Sequence, residues 1–145
     1  LRAIIVSLLL FGSTLFSGDT SLYQAQKEIL QSIFYNIHLG RDLKVWSDDE
    51  GLNEAFRDGF AFELASSCNE ASLLVINTQA PLTNGCQNKP TFVLKYQLLR
   101  DLPHSFGSLY WKKARPNIVI IEPRAKEQNI IISTRLREYV EQKLW

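Results

Sequence analysis

Apolar residues recur at Leu22, Ala25, Ile29, Leu30, Ile33, Phe34 and Ile37. That spacing lays one broad stripe along about four turns of helix. Ser21 followed by Gln24 reads as a capping box, and Gly40 as the stop. His38 then falls at or just past the helix end, where an imidazolium suits the dipole. The period changes at residues 43–47, which read as a short strand. Asp48, Asp49 and Glu50 place acids where a helix begins, and Leu52, Ala55 and Phe56 give that helix a brief apolar face. Residues 60–64 alternate like a second strand. Residues 72–77 form a continuous apolar run, the signature of a strand covered on both faces. Residues 78–90 carry Pro, Asn and Gly at intervals and read as a loop. Residues 91–95 are the next buried strand, and residues 96–102 are a helical turn or a loop.

The last third differs in texture. Residues 106–113 are aromatic and strand-like, residues 114–117 form a turn, and residues 118–122 return as a strand, so these two strands are antiparallel. Residues 123–129 are polar, and Ile130, Ile131 and Ile132 start a final element. Thr134 is placed to cap a terminal helix with the stripe Leu136, Tyr139, Val140 and Leu144. Strands alternating with short helical stretches predict an α/β fold. It is a three-layer domain with a mixed, mainly parallel sheet, a C-terminal antiparallel hairpin and a terminal helix.

Ahead of this pattern stands a segment of another kind. Arg2 precedes an uncharged apolar run, Gly12, Ser13 and Thr14 break it, and polar sequence begins at Gly18. This is the layout of a secretory signal peptide, residues 1–17, with cleavage near Ser17. The run spans roughly ten to fourteen residues, short of the roughly twenty of a spanning helix. Cleavage is therefore expected rather than anchoring, with no stable membrane insertion afterwards. A leucine at position 1 in a chain without Met fits a bacterial TTG start translated literally, or a truncated sequence. The signal layout at Arg2 favours the first, and with it a periplasmic destination. The expected mature part is a single domain, residues 18–145.

Charge narrows the partners. The chain has sixteen basic and fifteen acidic residues, and losing Arg2 leaves the two in balance. Nucleic acid demands a basic footprint and is not expected as a partner. Export also changes the reading of Cys68 and Cys86. In an oxidising compartment two cysteines in one small domain pair. Closing this loop is worth roughly 3 kcal/mol. The alternative is two free buried thiols, although Cys86 sits in a polar loop that would leave a thiol exposed.

Catalytic chemistry finds little to use. His104 and Ser105 are chain neighbours, which does not make them a nucleophile pair, and there is no Gly-x-Ser-x-Gly elbow. Phosphate-binding glycine loops and the spaced ligands of a calcium loop are missing too. No enzyme, cofactor or metal is expected. Residues 107–117 instead gather two aromatics, three cations and a turn. Tyr, Trp and Arg dominate protein interfaces, so Tyr110, Trp111, Lys113 and Arg115 are candidate partner-binding residues. The alternative is an edge hairpin whose aromatics fill the core and whose lysines guard against aggregation. Strand C-termini in an α/β sheet also offer a ligand crevice. Ser47, Asp48, Asn77 and Thr78 stand there.

The order of elements resembles the YfiR-like family of small periplasmic proteins. The residues that carry the likeness are the leader, the amphipathic first helix, and the strand at residues 43–47. Cys68 and the apolar residues 73–76 after it, the strand from Lys89 to Leu94, Gly107, and the strand at residues 118–122 complete it. The likeness is one of pattern, and residues 110–116 are not a family signature. It implies a non-enzymatic regulator that restrains an inner-membrane signalling protein, such as a diguanylate cyclase, by binding its periplasmic part. It also implies a homodimer, and activity that follows disulfide state. Cys68 is the one position that transfers, and its family partner need not correspond to Cys86. The competing readings are a small-ligand-binding domain and a structural component of an envelope assembly.

Overall fold

The computed structural model describes residues 18–78 and 80–145, so the expected leader lies outside the described residues. The first apolar stripe forms helix α1 (Gly18–Phe34), which buries Leu30, Ile33 and Phe34 against a sheet. It begins before Ser21, so Ser21 and Gln24 form no capping box. It also stops well short of Gly40. The Asn36 amide donates back to the Ser32 carbonyl at 2.8 Å. The next residues then leave the helix to form strand β1 (Ile37–His38). That strand pairs antiparallel with β8 (Ile131–Ile132), setting Ile37 opposite Ile132. His38 is therefore an exposed strand residue and not a helix cap. Pairing across the chain overrides the local helical period here.

The main sheet has seven strands: β2 (Lys44–Ser47), β3 (Glu63–Leu64), β4 (Leu73–Ile76), β5 (Thr91–Val93), β6 (Ser105–Lys112), β7 (Arg115–Ile121) and β9 (Val140–Glu141). Their spatial order is β3-β2-β4-β5-β6-β7-β9. Every neighbouring pair is parallel except the β6–β7 hairpin. Alternate side chains feed two cores. Val45, Leu73, Val75, Phe92 and Ile120 face α1 and α2 (Glu50–Arg57). Leu74, Ile76, Val93, Val119 and Ile121 face the other way, under α3 (Leu98–Asp101) and the loop that carries Cys86. The sheet is thus the middle of three layers, as the apolar run in β4 requires.

Three elements depart from the sequence pattern. The polar stretch after Glu122 is helix α4 (Glu122–Glu127), started by Pro123 where a missing N–H costs nothing. The hairpin turn is Lys113-Ala114, one step earlier than expected. The expected terminal helix is instead a 3-10 stretch, Thr134–Tyr139, followed by β9. Ser133 caps it, not Thr134, by accepting from the Arg135 N–H. The reason lies in which faces must be reached. Leu136, Tyr139 and Val140 pack in the first core, whereas Leu144 packs in the second. One helical stripe cannot serve both faces of a sheet, so the chain crosses the sheet edge as a strand.

Candidate functional site

The four candidate ligand residues meet at the C-terminal ends of β2 and β4. Connections leave these adjacent strands in opposite directions, which makes this the topological switch point of the sheet. The polar groups there are largely consumed by one another. Asp48 accepts from the Asn77 N–H at 2.7 Å, the Thr78 N–H at 3.0 Å and the Thr78 hydroxyl at 2.7 Å. Asp49 caps α2 through the Gly51 N–H at 3.0 Å and also accepts from the Asn77 amide at 2.7 Å. The Tyr23 hydroxyl donates to the same carboxylate at 3.0 Å. The Ser47 carbonyl accepts from Asn53, and its hydroxyl from the Asp49 N–H. Two carboxylates so engaged act as a clasp that ties β2, α2 and β4 together.

The candidate partner residues lie on a different structure. Strand β5 pairs with β6 only as far as Ser108, and β9 pairs with β7 only at Ile120 and Ile121. Beyond those points, among the described residues, β6 and β7 pair only with each other, so the distal hairpin is an arm with two edges that carry no further strand. Lys113 and Ala114 form its tip, both with positive φ, at 52° and 61°. Lys112 and Arg115 face one another across the turn. Lys112, Lys113 and Arg115 are exposed, and among the described residues no carboxylate lies within ion-pair distance of them. Pro116 opposes Trp111, one step from the turn-closing pair, where an antiparallel ladder makes no hydrogen bond. A proline is tolerated there and blunts the edge.

Tyr110 and Trp111 point to opposite faces, as alternation demands. Tyr110 is half-buried, edge-on to Tyr96 at 5.3 Å between ring centroids, and joins the second core. Trp111 is half-buried too, and its indole N–H is enclosed with no hydrogen-bond partner among the described residues. The structure therefore groups Trp111, Lys113 and Arg115 on the arm and roots Tyr110 at its base. It does not bring them near Ser47 or Asp48.

Sequence reasoning missed two braces. Lys89 donates to the carbonyls of Cys68, Asn69 and Ala71. Arg124 donates to the carbonyls of Leu99 and Ser105 at 2.6 and 3.0 Å, and to the Ser105 hydroxyl at 3.2 Å. Burial lowers the pKa of both cations, and Arg41 adds to the effect at Lys89. A cation that binds carbonyls brought together by folding has no signature along the chain. The Lys89 brace flanks a disulfide between Cys68 and Cys86, with Cα atoms 5.9 Å apart, so the expected pairing is present. Among the described residues no helix is long and apolar enough to cross a membrane. No protein-family model and no curated protein matches the chain.

Proposed function

We propose that this protein is a non-enzymatic periplasmic regulator that works through protein contacts, restraining an inner-membrane signalling protein such as a diguanylate cyclase. One observation carries the reading. The arm offers Trp111, Arg115 and two lysines on a hairpin whose distal edges pair with no other strand, and whose cations meet no carboxylate, among the described residues. Aromatic and arginine anchors on such a projection are the residues that supply interface energy. The paired state of Asp48, Asn77 and Thr78 favours contact over small-ligand binding at the switch point, because a ligand there has to displace bonds already made.

The double substitution Trp111→Ala with Arg115→Ala tests the reading. Periplasmic protein, crosslinked in cells and recovered with its membrane partners, is compared with the variant. Capture of the partner is expected to fall at least about tenfold, as for loss of interface hot spots. Undiminished capture by a variant with native circular dichroism sinks the proposal.

A further inference from the structure

The two edges of the distal arm differ. Lys112 opposite Arg115 closes the turn, so the hydrogen-bonded pairs of the hairpin there are Lys112 with Arg115 and Tyr110 with Asn117. Between them, Trp111 and Pro116 aim their backbone polar groups outward, away from one another. Trp111 therefore presents an N–H and a C=O on the outer edge of β6, beyond Ser108, the last residue that β5 pairs. The chain after β5 leaves that edge, since Tyr96 lies on the face of the second core, edge-on to Tyr110. On the outer edge of β7 the matching position is Pro116, which has a carbonyl but no N–H. Proline blunts one edge, and the other is left able to accept a strand.

Charge decides which strand fits. Lys112 and Arg115 are directly opposed, and like charges so placed destabilise a hairpin. Lys113 adds a third cation at the tip. Lys112 shares a notch with Glu138 and Glu141 without an ion pair to either, so Lys113 and Arg115 carry the unbalanced charge. A second copy of this chain brings the same cations to the edge and is repelled. A bilayer surface calls for apolar side chains that insert. Among the described residues the exposed large ones are Leu22, Tyr35, Ile131 and Trp145, all of them off the arm.

We propose that the distal edge of β6 takes an extended, acidic segment of the partner protein as an added strand. The inference rests on the protein-contact reading of the arm and names the chemistry that the arm selects. The segment's C=O and N–H complete the backbone pair at Trp111, and its carboxylates meet Lys113 and Arg115. In strand addition the main-chain bonds supply affinity and the side chains supply choice. Cations that turn away a like-charged edge admit an acidic one, so protection from self-pairing and recognition of the partner have the same physical cause.

The probe is a capped hexapeptide of alternating glutamate and valine, titrated at low salt into the isotopically labelled protein and followed by amide shifts and hydrogen exchange. It is expected to saturate, to shift the amides of Tyr110, Trp111 and Lys112, and to slow exchange of the Trp111 N–H. The same peptide N-methylated at every amide keeps its charge, loses its donors and is expected to bind about tenfold more weakly. The counterpart with lysine in place of glutamate is expected not to bind. Lys113→Glu with Arg115→Glu is expected to reverse that preference, a gain that misfolding cannot mimic. Absence of saturation, equal binding of the methylated peptide, shifts centred on β7 or off the arm, or an unreversed preference each overturns the proposal. So does sedimentation of the native protein with phosphatidylglycerol vesicles that the charge-reversed protein escapes. Failure here, with partner capture still lost on Trp111→Ala with Arg115→Ala, removes the added strand and leaves the protein-contact reading standing.

Discussion

Gly107 shows how much a single position can carry. A Cβ built there lies 2.6 Å from the Phe92 ring and 2.8 Å from the Val119 carbonyl oxygen, closer than real contacts allow. The strand is bulged at this point, with Thr91 opposite Ser105 but Phe92 opposite Gly107, so Phe106 is the extra residue. Phe106 turns into the first core and meets Phe92 edge-on at 5.6 Å. Gly107→Ala is expected to cost about 2 kcal/mol through overpacking against backbone. Urea unfolding measures it, and an unshifted midpoint refutes it. The glycine is visible in the sequence, but its reason is not, because the crowding comes from β5 and β7. The same holds for His38. Its helical spacing is legible, and its place on a strand is set by Ile131, far along the chain.

At the scale of elements, the hairpin was legible as two strands and a turn, but not in its tip. A two-residue turn that matches strand twist needs positive φ at both positions, which Asn-Gly supplies cheaply. Here Lys113 and Ala114 adopt it at 52° and 61°. An L-residue with a Cβ pays roughly 1–2 kcal/mol in that region. Ala114→Gly is therefore expected to stabilise the protein by about 0.5–1 kcal/mol, after allowing for the added freedom of glycine when unfolded. A thermal melt decides it, and a lowered melting temperature counts against the strained tip. The segment after Ser133 departs from its helical pattern for a related reason. Leu136, Tyr139, Val140 and Leu144 have helical spacing, yet the first three and the last serve opposite faces of the sheet. Periodicity reports which residues are apolar together, and only packing tells whether they share a face.

Across the whole molecule, the clasp joins β2, α2 and β4, and the disulfide holds the loop that no regular element covers. The Cys68–Cys86 bond ties the long loop between β4 and β5 to the 3-10 turn Cys68–Glu70, beside the three carbonyl bonds of Lys89. Cys86 is fully buried in the second core, so an unpaired replacement also leaves a gap. Reduction is expected to lower unfolding stability by about 3 kcal/mol, the closure entropy of a loop this size. Paired denaturation curves with and without reductant measure the loss, and coincident curves rule it out. The α/β class, the buried central strand β4, the amphipathic first helix and the cysteine pair were all legible along the chain. Each depends on local period, or on there being only two thiols to join. Strand order, the bulge at Phe106, the switch-point clasp and the unpaired arm were decided only by the tertiary structure. Each of these is a meeting of residues distant in sequence, made by hydrogen bonds and close packing that no local pattern records.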